Sequence, residues 1–230
     1  MRTMLALTLA LTAALAPLPL TDAAARVVQR DWTRTVTRTP AGAFVIGNPR
    51  AKVKLVEYLS LTCSHCAHFA EQGWGPLRTH YIGKGLVSLE VRHAVRDGFD
   101  LAASLLTRCA GPAAYLGATE AVFAKQAEWG ERASRFSGEG LDDKPIDERL
   151  IAMAKGVGLD TLFESRGMPA ARVDACLSNA AEQKALAAMA NEAWSARKIE
   201  GTPAFLIDGV IQPDVSSWDA LAPRLAAAVK

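Results

Sequence analysis

Cys63 and Cys66 are the residues of this chain best suited to do chemistry. Two thiols three positions apart, just behind the apolar run from Val53 to Leu61, put a sulfur pair at a strand-to-helix junction. There the first thiol meets the positive end of a helix dipole and amide donors that lack intrahelical partners. Both favour the thiolate, the species that attacks, leaves and exchanges. Spacing alone leaves two other readings open, a structural bridge and half of a metal site. His65 lies between the cysteines, where its charge or ring N–H can favour a Cys63 thiolate; the inert alternative is a surface histidine. Glu57 is an acid within an otherwise apolar stretch. Burial should raise its pKa and fit it to pass a proton to or from Cys66. Its duller reading is a structural carboxylate paired with a lysine.

Several elements must position these groups. Val53 to Leu59 reads as a largely buried strand. The helix after Cys63 gathers Cys66, Phe69, Ala70, Trp74 and Leu77 on one face; Gly73, Gly75 and Pro76 should bend it, and Gly83 and Gly85 end it. Leu86 to His93 alternates apolar and polar residues as a second strand. Residues 26–48 form an arm with β-prone stretches near Trp32–Arg38 and Phe44–Ile46. From about 100 to 198 the pattern is helical almost throughout, in segments at 101–110, 113–126, 146–155, 160–166 and 180–198, with mixed charge at 139–149 as a solvated loop. Ala204–Ile207 is a short strand, Asp208-Gly209 a hairpin turn into Val210-Ile211, and Ser216-Ser217 a cap for a last helix through Leu225. The order β-α-β, helical block, β-β-α describes a small α/β core with a helical domain inserted.

The first 25 residues read as an export signal: Arg2, an apolar run from Met4 to Ala16, and small residues at Ala23-Ala24-Ala25 before Arg26. The run is short for a membrane span and is broken by Pro17 and Pro19; an uncleaved anchor is the alternative. The expected product has no stable membrane insertion and works outside the cytoplasm, where disulfides persist. A net charge of +2 without a long run of like charges argues against a nucleic-acid partner. Neither a Ser-His-Asp set nor a phosphate loop is recognisable.

Glu57-Tyr58-Leu59-Ser60-Leu61-Thr62-Cys63-Ser64-His65-Cys66-Ala67-His68-Phe69, followed far downstream by Gly201-Thr202-Pro203-Ala204-Phe205, resembles the DsbA-like family of periplasmic thiol–disulfide oxidoreductases in the thioredoxin superfamily. The resemblance implies an α/β, thioredoxin-like fold with an all-helical insertion. Here that gives a domain at 49–230 interrupted at about 98–198, after a signal at 1–25 and an arm at 26–48. It implies that Cys63 is the exposed nucleophile and Cys66 the resolving thiol. It also implies a cis bond between Thr202 and Pro203, setting the Thr202 backbone against the disulfide as a pairing edge for an extended substrate. An ordinary trans turn proline is the other reading. Ser64 stands where the family often carries proline; serine leaves a backbone N–H free and gives a less restricted turn.

By the same resemblance the protein resides in the periplasm and needs no cofactor beyond the Cys63–Cys66 disulfide. Its partners would be exported proteins with cysteines and a quinone-linked membrane oxidase. The activity implied is donation of the disulfide to folding proteins. Isomerase or reductase action on the same fold is the runner-up. Metal binding or copper delivery through Cys63, Cys66 and His68 comes last, because the ligand count is short. If Cys63 pairs with Cys66, Cys109 and Cys176 are left to bridge inside the insertion, worth roughly 4 kcal/mol of chain entropy. Two buried thiols are the alternative. His68, His80 and His93 read as surface or partly satisfied side chains, and Trp74, Trp129, Trp194 and Met189 as packing.

Overall fold

A computed structural model describes residues 30–230, so the export signal at 1–25 and the start of the arm at 26–29 lie outside the described residues. Strands β1 (Val36–Arg38), β2 (Phe44–Gly47), β3 (Val53–Leu59) and β4 (Val87–His93) come first, with helix α1 (Ser64–Leu77) between β3 and β4. A helical block follows: α2 (Gly98–Cys109), α3 (Tyr115–Ala124), α4 (Gln126–Ser134), α5 (Ile146–Val157), α6 (Leu159–Glu164), α7 (Ala170–Leu177) and α8 (Ala180–Asn191). Strands β5 (Ala204–Ile207) and β6 (Val210–Ile211) and helix α9 (Trp218–Ala228) complete the chain.

The six strands form one sheet in the order β1-β2-β4-β3-β5-β6. β3 and β4 are parallel, as a strand–helix–strand crossover requires, and the other pairings are antiparallel. β3 is central and buried at every position but Lys54. Alternation along a strand sorts its side chains: Val53, Leu55 and Leu59 face the core under α1 and the helical block, while Val56 and Tyr58 pack with Ala193, Ile199 and Leu206 on the other face. Glu57 shares the parity of Leu55 and Leu59, so the same rule delivers a carboxylate beneath α1. The hairpin from β5 to β6 turns at Asp208 and Gly209, both in the left-handed region at φ 50 and 83.

The arm supplies β1 and β2 to this sheet rather than standing outside the domain. Phe44, Val45, Ile46 and Gly47 lie opposite Val91, Glu90, Leu89 and Ser88 of β4. In the helical block the reading at 113–126 divides into α3 and the head of α4. The rest of α4 and all of α7 fall between the expected segments, within the stretch expected to be helical almost throughout. α1 runs through Pro76 and widens into a π-helical turn at Arg78–Ile82, and a second such turn at Glu192–Ala196 follows α8. Proline lacks the N–H for an intrahelical bond, and widening the following turn is one way to accommodate that. Among the described residues, no helix is long and apolar enough to cross a membrane.

Candidate active site

Cys63 is the N-cap of α1, with extended backbone (φ −88, ψ 119) and no side-chain cap bond. Its N–H donates to Ser60 O at 3.1 Å and its carbonyl accepts from Ala67 N at 3.1 Å, closing the first helical turn. Cys66, one turn inside, is fully buried on the face that also hides Phe69, Trp74 and Leu77. The two cysteines are free thiols. β5 fixes the opposite wall: Glu57 and Tyr58 lie opposite Phe205 and Ala204, and the Phe205 ring packs on Phe69 at 4.6 Å. That register carries Thr202 and Pro203 to the end of β3 where the cysteines sit. The Thr202–Pro203 bond is cis, and Cys63 Sγ donates to Thr202 O at 3.1 Å. Thr202 Oγ1 is buried without a partner of ordinary hydrogen-bond geometry, beside that sulfur.

The two thiols are driven apart electrostatically. The Cys66 thiol, hydrogen-bonding to it, pulls the Cys63 pKa down to about 4. The Thr202 side chain and the backbone N–H groups of Cys66 and His65 add to this, and burial opposes it. Burial, and the same bond seen from its other end, push Cys66 well up. Glu57 is fully buried and raised to about 8 by burial, although the Trp74 indole N–H donating to Oε2 at 3.0 Å pulls it back. Its Oε1 has no partner. The partner of Glu57 is therefore an indole, not a lysine, and Trp74 does more than pack.

Three details differ from the sequence reading. Cys63 is only 6% exposed, covered by the residues that tune it, and is not an open nucleophile. The imidazole of His65 points to solvent; what His65 lends the Cys63 sulfur is its backbone N–H. His93 is fully buried, with Ser104 Oγ and Tyr115 Oη each 2.8 Å from a ring nitrogen, so it is neither a surface group nor a ligand. Ser64 is exposed at the first position of α1. Cys109 and Cys176 are joined by a disulfide linking the ends of α2 and α7, with Cα atoms 5.9 Å apart. No group of three or more His, Cys, Asp or Glu converges on a metal position among the described residues.

The loop ahead of Cys63 is held by residues that sequence reasoning missed. Arg96 donates to Ser60 Oγ and Thr62 Oγ1, each at 2.9 Å, and the buried Asp100 accepts from Leu61 N at 2.8 Å. From the helical block, Gln126 Nε2 donates to Leu61 O at 2.7 Å and Cys63 O at 3.0 Å. These groups lie tens of residues from the cysteines, in stretches with no local motif.

A family model described as Thioredoxin matches residues 39–225. The chain is 33% identical to a protein-disulfide isomerase from Novosphingobium aromaticivorans, covering 81% of this chain and 96% of that one, with a TM-score of 0.77. The fold is also that of Wolbachia pipientis alpha-DsbA1, at TM-score 0.61 and 20% identity over 80% of this chain and 89% of that one. A Rickettsia felis protein named as a protein-disulfide oxidoreductase is 26% identical over 167 residues, 72% of this chain and 53% of its own. The chain thus spans about half the length of the curated relatives it matches. A thioredoxin core with a helical insertion, matched over most of its length and paired with a structural likeness at one-third identity, leaves one assignment: the chain belongs to the thioredoxin family.

Proposed function

We propose that this protein is a periplasmic thiol–disulfide oxidoreductase that donates a Cys63–Cys66 disulfide to exported proteins as they fold. The observation that carries the reading is the placement of the two thiols: Cys63 caps α1 with its sulfur 3.1 Å from Thr202 O at the cis Thr202–Pro203 bond, and Cys66 is fully buried one turn inside, which holds Cys63 down and pushes Cys66 up. A pair so arranged favours its reduced, Cys63-thiolate form, which makes the disulfide an oxidant. The export-signal pattern expected at residues 1–25 supports the location, and the names of the relatives support the chemistry.

A client thiolate attacks Cys63 Sγ, a client–Cys63 bond forms, the Cys63–Cys66 bond breaks, and Cys66 leaves with the electron pair. Because its pKa is high, Cys66 takes up a proton at once, and Glu57 is the neighbouring acid able to supply it. A second client thiolate then attacks the client sulfur of the mixed disulfide, closing the client's bridge and expelling Cys63 as a stable thiolate. Two electrons pass from client to protein. The Thr202 carbonyl beside Cys63 offers a strand-like edge to the client segment. A groove of about 660 Å³ along α1, lined by Ser64, Ala67, His68, Glu71 and Phe123, gives it room. A quinone-linked membrane oxidase would restore the disulfide.

Isomerisation is the second reading, favoured by the name of the Novosphingobium aromaticivorans relative. It would start from the reduced protein, with the Cys63 thiolate attacking a wrong client bridge. A Cys66→Ser variant charged at Cys63 with an aromatic thiol should capture a reduced client as a mixed disulfide; a folded variant that captures none overturns the mechanism. Oxidised wild-type protein should form bridges in a reduced client faster than reduced wild-type protein repairs a scrambled one, and the reverse ranking favours the isomerase.

A further inference from the structure

Among the side chains of the helical block that reach the thiol loop, Gln126 is the one that holds the peptide of Cys63 itself. Gln126 opens α4, and its amide donates to both Leu61 O and Cys63 O, at 2.7 and 3.0 Å. The Cys63 carbonyl is also the acceptor that starts α1, from Ala67 N at 3.1 Å, so two donors clamp the peptide that follows the reactive sulfur. The amide is not on a loose arm. α3 and α4 meet in an elbow at Lys125, and Trp129, 2% exposed, pins that elbow by donating from its indole to Val122 O at 3.0 Å. Phe123 on the same elbow meets Trp74 of α1 edge-on at 6.0 Å. Arg96 and Asp100 grip the Ser60–Thr62 stretch through other atoms, leaving the carbonyls of Leu61 and Cys63 to Gln126.

We infer that Gln126 is a positioning residue of the thiol site: by clamping the Cys63 peptide from the helical block, it keeps the N–H groups of the first turn of α1 aimed at Cys63 Sγ. Hydrogen bonds to a thiolate depend steeply on alignment. Releasing the Cys63 carbonyl frees rotation of the peptide plane that orients that turn. The inference rests on Cys63 being the attacking sulfur. It adds that the insertion helps set the reactivity of that sulfur, rather than merely covering it.

Gln126→Met keeps the length of the side chain and removes both donors. The thiolate absorbance of Cys63 as a function of pH, and the equilibrium constant of the Cys63–Cys66 pair with glutathione, are read on wild-type and variant protein without any client. Loss of one net hydrogen bond predicts a Cys63 pKa higher by about half to one unit, and an equilibrium displaced roughly three- to tenfold toward the disulfide. Gln126→Asn, a neutral amide one methylene shorter, should keep part of the clamp and fall between wild type and Gln126→Met. Unchanged pKa and unchanged equilibrium in Gln126→Met, with oxidised and reduced forms melting equally lower, would show a purely structural glutamine and overturn the inference. If Gln126→Met does not fold, Gln126→Leu, which carries neither donor nor charge, gives the same two readings. A wild-type Cys63 that titrates as an ordinary thiol would instead sink the oxidoreductase reading, so the two failures are distinguishable.

Discussion

Glu57 carries the clearest pH signature of any single residue. Its folded pKa of about 8 lies above the ordinary 4.5, so between those values the folded protein binds more protons than the unfolded chain. Stability from this site is therefore highest below about pH 4.5, falls as pH rises through the window, and is lowest above about 8. Glu57→Gln keeps an acceptor for the Trp74 indole and removes the titration. Denaturant midpoints of the oxidised protein, in which the active thiols do not titrate, should fall less between pH 5 and 8.5 in the variant than in wild type. The ceiling of the difference is about 1.4 kcal/mol per pH unit. Asp100 and His93, also buried and shifted, are common to both proteins and cancel in the comparison. Parallel pH profiles would show that Glu57 is not a buried acid. At this scale the sequence was legible where a residue clashes with its surroundings. An acid in an apolar strand and a Thr-Pro pair before an apolar run both stand out. Gln126, Arg96 and Asp100 do not, because a polar side chain looks the same in sequence whether it meets water or a distant loop.

The helices and the edge strand are tied together by one charged cluster. Arg108 of α2, with its side chain 1% exposed, forks onto Glu182 Oε2 of α8 at 2.9 and 2.7 Å, while Arg38 of β1 pairs with Glu182 Oε1. Removing Glu182 leaves Arg108 buried without a counter-charge, which costs about 3–5 kcal/mol for a desolvated pair. Removing Arg38, 41% exposed, deletes a screened pair worth about 1 kcal/mol or less. Glu182→Ala should accordingly lower the melting temperature by about 10 °C, at ~2–4 °C per kcal/mol for a domain of this size, and Arg38→Ala by a few degrees at most. Equal effects of the two variants would refute the cluster's asymmetry. Element periodicity foretold the long helices and central strands. It failed at α7, and at α4, which buries a single residue, Trp129, and so shows no repeating apolar face. The π-helical turns were illegible because a 3.6-residue repeat carries no sign of a local widening.

The whole molecule is organised so that its redox state and its stability are one equilibrium. The topology was legible because two motifs, far apart in sequence, both need the end of β3: the cysteines leave it and Thr202-Pro203 returns beside it. The arm was not, since short β-prone stretches carry no mark of which strand they will pair with, and β2 found β4. Reduction creates a Cys63 thiol with a folded pKa of about 4 against an ordinary 9.0 in the unfolded chain. A depressed pKa contributes stability to the reduced form that is complete above about pH 9 and is lost as pH falls through about 4. Cys66, pushed up, stays protonated in the folded protein and works against stability only above about pH 9, where the unfolded thiol ionises. The oxidised protein has neither contribution. The denaturant midpoint of the reduced protein should therefore exceed that of the oxidised protein by an amount that grows from pH 4.5 through 6 to 8.5. Reduction must be limited to one bridge, with retention of Cys109–Cys176 checked by mass, because losing that bridge would lower the reduced form for an unrelated reason. A gap that does not change with pH would place the driving force outside the Cys63 thiolate. A gap of opposite sign, with the oxidised form the more stable, would make the pair a reductant and reverse the direction of electron flow through the site.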